Sequence, residues 1–201
     1  MEYDFLKDCW KDKLILHKGG YITLSKIEVS KIDKPTLSIL EEIGLPVILP
    51  SELLISFLPF THFSFLKTDN KEFVLIGDFS PDLSGKVFLG VDVLDKKGEV
   101  YEISKDHQDK LSYNFVNKSL YQFLMFLAHY NRILEKDKQR IAENLPETLE
   151  QLKLEYEELK NTFNEIDNKP LQIQGTYWWW IIDEMRAQVM VREWEESDKN
   201  V

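Results

Sequence analysis

Apolar positions along this chain follow two rhythms, and the switch between them marks its organisation. In DKPTLSILEEIGLP, Leu37, Leu40 and Ile43 recur at helical spacing behind Pro35, and Gly44 then Pro46 stop the run. Proline suits a first helical turn, where its missing N–H would have no partner in any case. Gly44 is placed to take a left-handed backbone after the helix, which lets Leu45 fold back on the apolar face. Ahead of this, residues 2–13 read as a short helix burying Phe5 and Cys9, followed by a Gly19-Gly20 turn and mixed sequence to Ile32.

From about Phe60 to Ser104 the rhythm shortens. FVLIGDF, GKVFLGVDVL and EVYEIS are short, β-branched and aromatic, separated by SPDLSG and DKKG. Asp95-Lys96-Lys97-Gly98 signals a hairpin on a type I turn, with glycine in the positive-φ place. Val100 to Ile103 then return along the preceding strand. The expectation is an antiparallel meander of three to five strands.

The helical rhythm returns in FVNKSLYQFLMF. With Asn117 as N-cap, a helix from Lys118 to about Leu134 aligns Leu120, Phe123, Leu124, Leu127, Tyr130 and Leu134. Phe126 and Ile133 widen that face, so the helix should lie deep against the sheet. NLPETLEQLKLEYEELKNTFNEID predicts a second, solvent-facing helix with Pro146 in its first turn. Its stripe runs Leu149, Leu152, Tyr156, Leu159, Phe163, Ile166, too short for a coiled coil and suited to packing on its own domain.

A last helix follows in QGTYWWWIIDEMRAQVMVREWEE, with Thr176 as a cap and Trp178, Ile181, Ile182, Met185 and Val189 as its buried side. An acidic tail, 190–201, closes the chain. Three consecutive helical residues point about 100° apart, so Trp178, Trp179 and Trp180 cannot all enter one core. Trp178 and one neighbour should pack, leaving at least one ring partly exposed. With no repeat and no low-complexity linker, a single domain over 1–201 is expected, its segment 1–34 the least well assigned.

Composition narrows the function. The net charge of −10 disfavours phosphate backbones and anionic lipid as partners. Between Glu135 and Asp167 lie ten acidic and five basic side chains, so half of that charge sits on one segment. No apolar stretch reaches the ~18 residues of a membrane helix, and the start carries no signal-peptide pattern, so a cytoplasmic protein is expected. The lone Cys9 gives no disulfide and no zinc-ligand cluster.

Candidate chemistry is sparse. Cys9 has no histidine near it in sequence; His17, His62, His107 and His129 are scattered without an i,i+4 pair. Asp78 and Asp82 flank FSP, and Asp92 and Asp95 approach a turn, but neither pair matches the alternating oxygen ligands of a calcium loop. Aspartates before turns ordinarily accept hydrogen bonds from the turn's own backbone. Asn117-Lys118-Ser119 fits a glycosylation acceptor, a reading with little force in a chain lacking a secretory signal. No catalytic residue, cofactor or metal is expected.

The order of these fragments carries a resemblance. Gly44-Leu45-Pro46 ends a helix, Ile76-Gly77-Asp78 lies in a strand, and Asp95 through Val100 forms a hairpin. Val116-Asn117 with Ser119, Leu120 and Phe123 opens a helix, and Trp178 or Trp179 marks the last one. Together they resemble the SUKH immunity-protein superfamily, nearest its fourth subfamily, over roughly residues 35–185. Lys97 stands where that pattern usually has threonine, Trp180 extends the usual tryptophans, and 1–34 matches nothing in it.

The resemblance implies an α+β domain, a central antiparallel sheet flanked by helices, without catalysis. It implies a partner, a cognate toxin domain (a nuclease or deaminase in many cases), neutralised by binding. Asp78, Asp82, Asp92 and Asp95 are the candidate contact residues for a basic toxin, with the acidic helix 147–167 as second candidate. A regulatory or scaffold module with another partner is the alternative on the same fold. A hydrolase or metal enzyme on a different α+β fold is the third reading.

Overall fold

The computed structural model describes residues 3–10, 16–17, 26–46, 49–53, 55–57, 64–79, 87–105 and 110–198. They fall into two compact units, 1–128 and 129–201. The architecture is α+β, with one six-stranded antiparallel sheet.

In the first unit, α1 (Asp4–Trp10) buries Leu6 and Trp10, four residues apart on one face. Phe5 and Cys9, expected on the buried side, are only half-buried, so the apolar face is one residue out of register with the expectation. A short α2 (Lys26–Lys31) precedes α3 (Lys34–Ser38), whose N-cap is Asp33: its Oδ1 accepts from the Thr36 N–H at 2.9 Å. Pro35 stands in the first turn, as expected. The helix then widens into one π-type turn, Ile39–Ile43, closed where the Gly44 N–H donates to the Ile39 carbonyl at 2.8 Å. Gly44 has φ 81°, a conformation a side chain would strain. Leu45 is fully buried and begins β2 (Leu45–Pro46), which pairs with β1 (Leu16–His17).

The main sheet runs β3 (Ile55–Phe57), β5 (Glu72–Phe79), β6 (Val87–Asp92), β7 (Val100–Lys105), β8 (Leu111–Asn117), with β4 (Ser64–Lys67) sharing the β3 edge of β5. Four of these strands lie within the expected meander; β3 and β8 extend it on either side. Gly77 sits in β5 beside a register shift, and a Cβ there would stand 2.6 Å from the Ser56 carbonyl oxygen. The glycine of Ile76-Gly77-Asp78 is therefore what lets β3 approach β5. The β6–β7 link is longer than the type I turn expected. A helical turn, Leu94–Lys96, ends on a positive φ at Lys96, 57°, and Gly98 adds a second at 69°. The Asp92 N–H donates to the Glu99 carbonyl at 2.7 Å and closes the loop.

The sheet has two apolar faces. On one, Val74, Leu89 and Val91 are fully buried, and Phe57 meets Phe123 edge-on at 6.3 Å. Phe123 belongs to α4 (Leu120–Ala142), which also buries Leu120, Leu124, Phe126 and Leu127. On the other face, Phe73, Leu75, Tyr101 and Ile103 form a core cluster edged by half-buried Leu66, Phe88, Leu111, Tyr113 and Phe115.

The entry to α4 corrects the expected cap. Asn117 is the last residue of β8 and is fully buried. The cap is Ser119: its Oγ accepts from the Gln122 N–H at 3.2 Å, and its carbonyl from the Phe123 N–H at 3.1 Å. Gln122 answers from the third helical position, its Oε1 accepting from the Ser119 hydroxyl at 3.3 Å. Asn117 and Ser119 both fit a cap in sequence; the strand claims the first because β8 must finish its pairing with Val100.

The second unit holds the end of α4, then α5 (Leu149–Asp167), α6 (Lys169–Gln172) and α7 (Tyr177–Asp198). Pro146 precedes α5 and is not in its first turn; Thr148 caps the helix, its Oγ1 accepting from Gln151 N–H at 3.2 Å. The buried row of α5 is Leu152, Glu155, Leu159, Phe163 and Asp167, a face slightly rotated from the expected stripe. Phe163 meets Trp178 of α7 edge-on at 5.3 Å, so this face packs within its own unit. Thr176 caps α7 as expected, its Oγ1 accepting from Trp179 N–H at 3.4 Å. Residues 190–198, expected as a tail, continue α7 as helix.

Candidate partner-binding surfaces

The β6–β7 loop carries the most organised polar group in the first unit. Asp92 lies at the end of β6 with no exposed surface. Its Oδ2 accepts from Lys71 Nζ at 2.6 Å and its Oδ1 from the Leu94 N–H at 3.0 Å. Lys71 Nζ also reaches the Tyr101 hydroxyl at 2.9 Å and stands 4.1 Å from that ring's centroid. The Tyr101 hydroxyl in turn donates to Glu99 Oε2 at 2.7 Å.

Burial alone would lower the pKa of Lys71. The hydrogen bonds to Asp92 and Tyr101 outweigh it, and the ammonium ends above its usual 10.5. Burial, and then the nearby Glu99 carboxylate, push Tyr101 up to about 12, against the pull of Lys71. The group is thus a cation held between an acid and a neutral phenol. It locks the loop to the aromatic face of the sheet.

Asp78 and Asp92 lie toward opposite ends of the β5–β6 ladder. Asp78 lies within β5, half-buried, opposite Ser56 and Phe88, while Asp92 pairs with Phe73 at the other end of the same ladder. Five residues of strand, about 16 Å, separate Asp78 from Phe73. Asp82 lies outside the described residues, and Asp95 is in the turn Leu94–Lys96. The accessible position expected of Asp92 is corrected: the carboxylate is spent on Lys71 and Leu94 because no water reaches it.

In the second unit, the acids of α5 divide by face. Glu155 points inward and accepts from Gln151 Nε2 at 3.1 Å, whereas Glu157, Glu158 and Glu165 are exposed. A groove of about 240 Å³ lies between α5, α6 and α7, its apolar lining given by Tyr156, Leu171, Trp179 and Ile182. Its two cations are already engaged, Arg186 with Asp183 at 2.6 Å and Lys160 over the Tyr156 ring at 5.1 Å. Among the described residues, no group of three or more His, Cys, Asp or Glu converges as metal ligands would.

The outer side of α7 holds the exposed tryptophan expected from the sequence, Trp180, and more exposed apolar surface than expected. Trp178, Ile181 and Val189 are buried as expected, but Trp180, Met190, Val191 and Trp194 are 55–64% exposed. At 100° per residue, Trp180, Ala187, Met190, Val191 and Trp194 fall within an arc of about 100°, opposite the buried row. Exposed apolar residues thus lie opposite the buried row, in an arc that also holds Asp183 and Asp198. Plotting all the apolar residues of α7 on a helical wheel would have revealed this second set; assigning them to one core face concealed it.

Residues 18–184 match the SUKH-4 immunity protein family, a match that takes in most of each unit, and the chain belongs to that family. No curated protein and no solved structure matches it. Among the described residues, no helix is long and apolar enough to cross a membrane.

Proposed function

We propose that this protein neutralises a cognate toxin domain by binding it stoichiometrically, without catalysis, in the cytoplasm of the cell that carries both genes. The observation that carries this reading is membership of the SUKH-4 immunity protein family over residues 18–184. The net charge of −10 supports a toxin with a basic substrate groove, such as a nuclease or deaminase, since opposite charge raises the rate of encounter.

On this reading the contact acids are Asp78, Asp82 and Asp95, with the exposed acids of α5 as a second contact. Asp92 serves indirectly, by fixing the loop that carries Asp95.

The test is co-expression with a candidate toxin domain encoded by a neighbouring gene. Growth should be restored and a one-to-one complex recovered; no rescue and no complex with that toxin refutes the proposal. Reversing Asp78, Asp82 and Asp95 to lysine should slow association and flatten its dependence on salt, and unchanged on-rates would remove these acids from the interface.

A further inference from the structure

The main sheet ends differently at its two edges. One edge is divided between β3, three residues, and β4, four residues, both laid along β5. The other is β8, LSYNFVN, which among the described residues pairs with β7 and with no further strand. The ladder to β7 passes from Tyr101 opposite Phe115 to Val100 opposite Asn117, so Val116 is an extra residue that bends that end. Leu111 to Phe115 remain as a regular edge of five residues. Natural sheets ordinarily guard such an edge with charged side chains or proline. In a chain where 30% of residues are charged, these five include no charge and no proline.

The open edge coincides with an open margin of the core. Tyr113 meets Phe73 at 5.7 Å and Tyr101 at 5.8 Å, and Phe115 meets Tyr101 at 5.9 Å. Leu111, Tyr113 and Phe115 are nonetheless only half-buried, at the rim of that cluster. On the other side of the strand Ser112 and Asn114 are exposed, with Ser112 joined to Ser104 through their hydroxyls at 2.6 Å. A strand added here has to alternate apolar and polar residues in the same phase.

β8 itself meets that condition. Paired antiparallel about Tyr113, it sets Leu111 beside the copy's Phe115, Tyr113 beside the copy's Tyr113 and Ser112 beside the copy's Asn114. Apolar meets apolar and polar meets polar, as a two-fold contact requires. Lys110, next in line, falls beside the copy's Val116. Charge favours the same place: two chains of −10 repel each other, and this uncharged edge opposes no like charges across its five pairs.

We infer that this protein forms a homodimer by antiparallel pairing of β8 with its own copy, centred on Tyr113, which joins the two six-stranded sheets into one. The inference goes beyond toxin binding and does not depend on it. Five residue pairs make a contact at the low end of the specific range, under ~1,200 Å² in total, so the dimer is weak and reversible.

Sedimentation velocity on the full chain over about 5 µM to 1 mM tests it, a range wide enough for a micromolar equilibrium. The wild type should pass from monomer to dimer. Ser112→Lys with Asn114→Lys sets lysine against lysine at both polar pairs and should weaken association about tenfold or more, with an unchanged circular dichroism spectrum. Those two lysines take the net charge from −10 to −8, which would favour association at any contact away from this edge. Ser112→Glu with Asn114→Glu should also stay monomeric alone, and mixing the two double variants should restore the dimer. In the wild type, amide exchange along Leu111–Phe115 should slow as concentration rises, a readout that stands even if a variant fails to fold.

A wild type that stays monomeric throughout overturns the inference. So does a dimer that the two lysines leave intact, a mixture of the variants that does not associate, or β8 amides that exchange alike in monomer and dimer. A monomer whose toxin complex is lost on Ser112→Lys with Asn114→Lys would assign the edge to the toxin, which also overturns the second-copy contact while leaving the neutralisation reading in place.

Discussion

Replacing Lys71 by methionine removes the cation from the β6–β7 loop and keeps most of the hydrocarbon stem. Asp92 then stays buried with one of its two hydrogen bonds, the one from the Leu94 N–H, and no counter-charge. Breaking a buried ion pair from one side costs about 3–5 kcal/mol, because the remaining charge is uncompensated. Lys71 itself is 12% exposed, so some water can enter its vacated place, and the expected loss lies near the lower bound, about 3 kcal/mol. Against a domain stability of ~5–15 kcal/mol, that is a large fraction.

The assay is urea unfolding at pH 7 of the wild type, Lys71→Met, Asp92→Asn and the double variant. Asp92→Asn should cost less, since Lys71 keeps Tyr101 and a longer-range contact with Glu99 at 4.0 Å. The double variant should lose less than the sum of the two, with a coupling of at least ~1 kcal/mol.

Alkaline titration adds a second reading. Lys71 and Tyr101 both hold their protons to higher pH in the folded state than in the unfolded chain. Their contribution is therefore complete below about pH 10 and is lost as pH rises through the folded values. The gap between wild type and Lys71→Met should narrow above pH 10.5. A Lys71→Met loss below ~1 kcal/mol, or strictly additive variants, would refute the ion-pair account.

Two further outcomes follow from the fold. Gly77→Ala places a methyl group against the backbone oxygen of Ser56, which has no flexible end to move, and should cost about 1–3 kcal/mol with faster amide exchange across β3 and β5. Wild-type stability in that variant would show that the glycine is not needed for strand approach. Ser119→Ala should cost about 1 kcal/mol and release the Gln122 amide to exchange, whereas Asn117→Ala should leave that amide protected; the reverse result would return the cap to Asn117.

Local chemistry in the sequence determined the elements of this protein. Helix stops, meander strands and the Thr176 cap depend on backbone preferences and on apolar spacing within a few residues, so Gly44, the β5–β7 strands and the buried Trp178 are where the sequence puts them. Choices between neighbours of similar propensity required the tertiary structure. Asn117 and Ser119 are both good caps, and pairing with β7 decided which one remained free to cap. Asp92 and Asp95 look alike at a turn, and only the approach of Lys71, twenty-one residues earlier, made one of them a buried counter-ion.

The same holds for α7, where apolar residues lie both in the buried row and opposite it. Spacing tells which residues share a side, but only packing against α5 determines which side is covered and which stays exposed. Long-range contacts are not written in any short window of sequence, because they depend on where distant elements come to lie.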